Sequence, residues 1–402
     1  MLAAFSVMAA CSSGGAKEGT TSATGGRTTT GGTTSLGGTT STGGATSTGG
    51  VTTTGGTTSS GGSRAESGGA PGSGGNAGGT SLGCGSSSTC TGGAAGSGGT
   101  RDAGTSSDSA PAIDGGAGTI KFAGNITTRG AVRSDFSKYW NQITPENEGK
   151  WGSVQSSQGN FNWTSLDAIY KYTNDNNIIF KQHCFVWGSQ QPGWVNTSNG
   201  QTAVQAWMQA FCQRYPKTKI IDVVNEPPPH TTPAYKDGIG GDGSSGWDWI
   251  ANAFKWAREA CPNATLVLND YNTIEQSGDN SHIIDIVKKI KAAGAPIDAV
   301  GAQAHGTANA SADTLKKYID NIATQTSLPV YITEFDLSIA DDNQQKAKMQ
   351  EHFTMFWNDA NVKGITIWGY VVGATWESNS GLMQADGTLR PAMTWLMGFL
   401  GR

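Results

Sequence analysis

Eight short apolar runs, rich in β-branched residues, recur through the C-terminal part of this 402-residue chain. They are Ile120–Ile126, Trp140–Thr144, Ile178–Trp187, Ile220–Asn225, Leu266–Asp270, Ala299–Ala304, Pro329–Phe335 and Ile365–Tyr370. Helical patterns separate most of them, at Ser165–Asn174, Ala203–Arg214, Trp247–Ala260, His282–Ala293, Ala312–Thr324, Gln344–Asp359 and Pro391–Leu400. Strands that alternate with helices imply a parallel sheet, because each return crosses the sheet through a helix. Runs apolar along their whole length suit strands covered on both faces. The pattern predicts the α/β class, and eight units over residues 113–402 predict a (β/α)8 TIM barrel.

The rest of the chain is a different polymer. Residues 1–110 contain 32 of the 59 glycines and a single aromatic residue, Phe5, whereas all 13 tryptophans lie between Trp140 and Trp395. Such a segment buries too little apolar surface to offset its ordering entropy. Residues 12–112 therefore read as a disordered Gly/Thr/Ser linker preceding a catalytic domain at 113–402. A flexible coil of about 100 residues spans roughly 55 Å, enough to tether a domain away from a surface. Residues 1–11, MLAAFSVMAAC, resemble the end of a bacterial lipoprotein signal, with Met8-Ala9-Ala10-Cys11 as the lipobox. Lipid attachment at Cys11 and a secreted or cell-surface, membrane-anchored location are expected, although no positive charge precedes the apolar run.

Charge and cysteine usage narrow the function. The net charge is −4, and the four positive and four negative residues of 1–110 cancel. With no basic stripe, nucleic acid is a poor partner. No apolar run approaches the length of a spanning helix. There are six cysteines and no CxxC metal pattern. In an exported chain, Cys84 and Cys90 are spaced to close a small disulfide loop, and Cys212 and Cys261, late in successive helical patterns, are a candidate bridge. Cys184, in an apolar run, reads as a buried inert thiol.

In a barrel of this kind, functional residues sit at the C-terminal ends of the strands. Polar residues follow the runs accordingly. Glu146, Asn147 and Lys150 follow the second, and the third holds His183 and ends at Trp187, with Gln190 just beyond. The fourth ends in Asn225-Glu226 and the fifth in Asn269-Asp270-Tyr271-Asn272. The sixth carries Gln303, with His305 just beyond, the seventh carries Glu334, with Asp336 just beyond, and the eighth carries Trp368, with Trp376 beyond it. Neither a Gly-rich phosphate loop nor metal-ligand spacing occurs on this rim, so no metal or cofactor is expected.

Glu226 and Glu334, on the fourth and seventh strands, face each other across such a barrel. Glycoside hydrolysis requires paired carboxylates of this kind, one held protonated and one ionised. Either carboxylate alone reads more readily as a salt-bridge partner; two of them, each with a flanking polar set on opposite strands, favour catalysis. Asn225 is placed to hold a sugar hydroxyl. Asp336 lies two residues beyond Glu334, on the same strand face, and is placed to orient His305 toward Glu334. Trp187, Trp368 and Trp376 offer flat apolar faces for sugar rings. Lys150 and the amides offer partners for hydroxyls. His282 and His352, on helical patterns, read as surface residues, and His230, after three prolines, reads either way.

The segments WNQITPENEGKW, KQHCFVWGSQQPGW, IIDVVNEPP, LNDYN, VGAQAHG, VYITEFD and ITIWGYVVGATW resemble, in order, those of the family 10 glycoside hydrolases, the endo-1,4-β-xylanases. The resemblance spans about residues 119–400. It implies that Glu226 is the general acid/base and Glu334 the nucleophile of a retaining mechanism, with their carboxyl groups about 5–5.5 Å apart. It assigns Asp336 and His305 to positioning the nucleophile, and Asn225 and Gln303 to the reacting sugar. It assigns Glu146, Asn147, Lys150, His183, Trp187 and Gln190 to the glycone side. By the same resemblance Trp368 and Trp376 match the indoles that close over the −1 sugar, and Tyr271 and Asn272 resemble residues on the leaving-group side.

Three features depart from the family pattern. Gly188 stands where many members have His, residues 371–375 replace a segment with Asp and Ser, and Glu377 stands where a basic residue is usual. The expected function is therefore endo-1,4-β-xylanase activity on xylan, by a monomer without a protein partner. The alternatives are a retaining glycosidase acting on another β-linked glycan, and a non-catalytic glycan-binding protein of the cell surface.

Overall fold

The computed structural model describes residues 121–402. The signal-like segment 1–11 with Cys11, the linker 12–112 and the Cys84–Cys90 pair lie outside the described residues. Eight strands form a closed, wholly parallel barrel in which each strand pairs with its successor and the eighth closes on the first. They are β1 Phe122–Ile126, β2 Gln142–Thr144, β3 Ile179–Trp187, β4 Ile220–Asn225, β5 Thr265–Asp270, β6 Ala299–Ala302, β7 Val330–Phe335 and β8 Val362–Ile367. A short helix, α1 Trp151–Val154, and α2 Thr164–Asp175 lie between β2 and β3. One main helix follows each later strand: α3 Gly200–Arg214, α4 Asp248–Ala260, α5 Ser277–Ala292, α6 Ala312–Thr326, α7 Asp342–Asn358 and α8 Pro391–Leu400. The predicted (β/α)8 barrel is the observed fold.

Two apolar clusters hold it. The larger fills the space between strands and helices, where Trp207 stacks on Trp151 and Trp163 at centroid distances of 6.1 and 5.7 Å. The smaller joins Phe122, Ile220, Val267, Ala299 and Tyr331, with Ile179 packed against it. These residues stand at or near the N-terminal ends of six strands, so they plug the bottom of the barrel.

Above the plug the interior is polar. Gln142, Lys181, Asp222, Asn269, Thr333 and Thr366 are all buried, and every one has a side-chain partner. Such pairing offsets much of the cost of burying polar groups. Glycines make room for these side chains. A Cβ on Gly124 would stand 1.9 Å from Gln142 Oε1, and one on Gly301 would stand 2.3 Å from Asn269 Oδ1.

Most element ends fall within three residues of those expected. The eighth strand begins at Val362 rather than Ile365, and Trp368 lies just beyond it. Lys363 and Gly364 interrupt the apolar pattern that marks a strand. Gly364 is needed there because a Cβ would meet the Phe122 ring at 2.2 Å. His352 is a correction: its ring is fully buried, beside Phe335 and Phe356, with Nε2 3.1 Å from Ala310 O. His282 is half-buried, its Nε2 2.7 Å from Pro228 O.

Cys212, near the end of α3, and Cys261, capping α4, form a disulfide with a Cα–Cα distance of 5.5 Å. Cys184 is a buried free thiol. The bridge spans 49 residues. Replacing both partners by Ser is expected to lower the unfolding free energy by about 2–4 kcal/mol, read as a lower midpoint in chemical denaturation.

Candidate active site

The C-terminal rim gathers the two glutamates around a chain of amides. Asn225, the last residue of β4, donates from Nδ2 to Glu226 Oε1 at 3.2 Å. Asn269 of β5 donates from Nδ2 to Asn225 Oδ1 and to Glu334 Oε1, both at 2.7 Å. Thr333 Oγ1 donates to Asn269 Oδ1 at 2.6 Å, which fixes the orientation of that amide. The two carboxylates are thus joined through two neutral amides.

Their surroundings differ. Glu334 is buried at 4 % exposure, and Oε2 lies 3.3 Å from His305 Nε2. Burial favours the neutral acid, but the opposing effects of His183, His305 and Lys181 prevail and hold its pKa down at about 2. His305 in turn has Nδ1 2.9 Å from Asp336 Oδ2. Burial opposes its charge, yet the Asp336 and Glu334 carboxylates lift its pKa to about 10. Glu334 is therefore ionised and His305 is an imidazolium through the neutral range. Glu226 meets only neutral donors. Trp187 Nε1 reaches Oε2 at 2.9 Å, and Gln303 Nε2 reaches Oε1 at 3.1 Å.

The remaining predicted residues lie around this pair. Lys150 Nζ donates to Asn147 Oδ1 at 3.0 Å and sits 5.0 Å from the Trp187 ring centroid. Gln190 is exposed and donates to the same Asn147 oxygen at 3.3 Å. Glu146 is half-buried, with its pKa raised by burial against the pull of Lys150. His183 lies deeper, 1 % exposed, with Nδ1 2.9 Å from Asp222 Oδ2 and 4.0 Å from Glu334 Oε1. Trp368 packs edge-on against His183 at 5.3 Å. Trp376 is 54 % exposed, but its Nε1 donates to Asp336 Oδ2 at 2.8 Å. Tyr271 stacks on His230 at 3.8 Å, and His230 Nδ1 lies 2.7 Å from Asp270 Oδ1. Asn272 adopts a positive φ of 59° beside them.

Asn269, Asp222 and Lys181 carry no predicted role, yet all three act on Glu334 or on its neighbours. Lys181 Nζ donates to Asp222 Oδ2 at 2.5 Å, and the same oxygen meets His183. The signal was available: Lys181, His183 and Asp222 are ionisable residues inside otherwise apolar runs. His183 and Asp222 are also register partners across β3 and β4.

Comparison with known proteins agrees with this geometry. The profile of Glycosyl hydrolase family 10 matches residues 110–398. The chain belongs to that family. It is 49 % identical over 281 residues to Endo-1,4-beta-xylanase B of Cellvibrio japonicus, an alignment covering 69 % of this chain and 45 % of that protein. The chain thus spans less than half of that relative's length. It is 28 % identical over 276 residues to Endo-1,4-beta-xylanase 3 of Hypocrea jecorina, covering 64 % of this chain and 75 % of the relative. The family 10 structure from Paenibacillus barcinonensis superposes with a TM-score of 0.64 at 24 % identity, covering 70 % of this chain and 95 % of the other. That likeness establishes the fold.

The charge arrangement of this family 10 site predicts a pH window for stability. Glu334, lowered from 4.5 to about 2, stabilises the fold fully above about pH 4.5, and this is lost as pH falls toward 2. His305, raised from 6.5 to about 10, stabilises it fully below about pH 6.5, and this is lost as pH rises toward 10. Both contributions are complete between about pH 4.5 and 6.5. In His305→Gln the decline in melting temperature between about pH 6.5 and 10 should flatten, as read by thermal melts across pH.

Proposed function

We propose that this chain is a retaining endo-1,4-β-xylanase, with Glu334 as nucleophile and Glu226 as general acid/base. One observation carries the reading: two carboxylates share an amide bridge, yet one is held ionised by cations and the other meets only neutral donors. A nucleophile must be ionised in the resting site, and an acid/base must change its protonation between steps.

In the first step an oxygen of Glu334 attacks the anomeric carbon. The bond to the leaving sugar breaks as Glu226 gives its proton to the departing oxygen. Glu334 loses its negative charge on forming the ester, so Glu226, now a carboxylate, faces no like charge there. Glu226 then takes a proton from water, which attacks the anomeric carbon and releases Glu334 as a carboxylate. His305 and Asp336 keep Glu334 oriented through both steps. Trp187 and Gln303 orient Glu226 without adding a fixed charge beside it.

The relatives' names support xylan as the substrate, and the Glu146, Asn147, Lys150 and Gln190 group supplies hydroxyl contacts on the glycone side. The Cys212–Cys261 disulfide supports export to an oxidising compartment.

Product release from purified protein on glucuronoxylan, arabinoxylan, β-glucan and mannan tests the proposal. Short xylo-oligosaccharides are expected from the xylans alone, and Glu334→Ala should abolish them. Cleavage of β-glucan or mannan instead would overturn the substrate assignment. Glu226→Ala should lower kcat/KM on xylan by about 10²–10⁴-fold, the usual worth of general acid catalysis. It should largely spare kcat/KM on activated aryl glycosides, whose leaving groups need no proton. Equal losses on both substrates would reject the acid/base role.

A further inference from the structure

Glu226 is a non-glycine residue with a φ of +49°. That conformation is sterically unfavourable and persists only where surrounding contacts impose it. Trp187, Gln303 and Asn225 hold the carboxyl group, and separate contacts hold the peptide that carries it.

The main-chain contacts come from two sides. Glu226 N donates to Asn269 O at 2.9 Å, which continues the sheet ladder. On the other side Thr231 closes a tight loop over three prolines. Its backbone N donates to Glu226 O at 3.1 Å, and its hydroxyl donates to the same oxygen at 2.7 Å. The Thr231 hydroxyl in turn accepts from Gly188 N at 3.3 Å.

Gly188 is one of the departures from the family pattern, and the structure accounts for it. A Cβ there would stand 2.5 Å from Thr232 N, 2.7 Å from Thr231 Cβ and 2.8 Å from Thr231 Oγ1. These contacts are closer than a side-chain carbon tolerates. A bulkier residue at 188 and Thr231 in its observed place are mutually exclusive.

We propose that Thr231, seated by Gly188, is a positioning residue for the acid/base: its hydroxyl holds the Glu226 peptide so that the carboxyl group meets the departing oxygen. This rests on the assignment of Glu226 as acid/base. The rest of the loop has its own anchors. His230 N bonds to Pro227 O, its ring lies against Asp270, and the Pro228 carbonyl meets His282. Loss of the Thr231 hydroxyl should therefore loosen Glu226 without unfolding the loop.

The test compares kcat/KM for a xylo-oligosaccharide, whose leaving group needs a proton, with that for a dinitrophenyl β-xylobioside, whose leaving group does not. Thr231→Val should lose at least about tenfold on the oligosaccharide and stay within about twofold on the aryl substrate, a fraction of the full general-acid contribution. Thr231→Ser should restore the oligosaccharide rate to within about threefold, because the hydroxyl is kept. Gly188→Ala, which displaces Thr231, should reproduce the oligosaccharide-selective loss, and it carries the test if Thr231→Val fails to fold. Equal losses on both substrates would show a general structural effect and overturn the proposal, as would wild-type rates in Thr231→Val. No turnover of either substrate by the unaltered protein would instead overturn the glycosidase reading, and the positioning role with it.

Discussion

An ionised carboxylate inside a barrel mouth carries a desolvation cost of several kcal/mol unless cations and donors surround it. Glu334 is such a group, and much of the barrel interior is arranged around it. Asn269 and His305 take its two oxygens, and His183 and Lys181 add positive potential from below. Each of these needs its own partner in turn. Asp222 bridges Lys181 and His183, Asp336 holds His305, and Thr333 holds Asn269. The polar layer above the apolar plug follows from this, because a buried charge is far less costly with a partner than without one.

The two glutamates stand in surroundings that differ in charge and depth. Glu334 lies within β7, inside the wall, where the imidazolium of His305 reaches it. Glu226 follows β4 at the rim, where an indole and two amides meet it. Neutral amides between the carboxylates transmit orientation without transmitting charge. Trp376 joins the outer wall to this system: its exposed ring is tethered at one edge to Asp336, the residue that holds His305.

Much of this was legible in the primary structure where local rules suffice. Parallel strands buried on both faces leave long apolar runs, and seven of the eight were readable to within two residues at their N-terminal ends. The eighth was not, because Lys363 and Gly364 break the pattern and Gly364 is there to admit a ring from β1. His352 was misread as exposed because one polar residue on an amphipathic helix does not reveal which face it occupies. Its burial depends on Phe335 and Phe356 and on a carbonyl at the end of a distant loop. Among site residues, the Asp336–His305–Glu334 relation was legible because two members share a strand face. Asn269 was visible at its strand end but carried no role, since an amide's importance lies in what it joins.

Strand periodicity and residue order, which follow from local chemistry, specify the barrel and the rim that gathers the polar residues, Glu226 and Glu334 among them. Only the tertiary structure decided how each carboxylate is held. Lys181, His183 and Asp222 come from two strands, His305 from the turn after β6 and Thr231 from a loop, and their effect on the pair depends on distances of a few ångströms across the barrel. Gly188 shows the same limit from the other side: its reason is the position of a threonine 43 residues away, and sequence spacing says nothing of that contact.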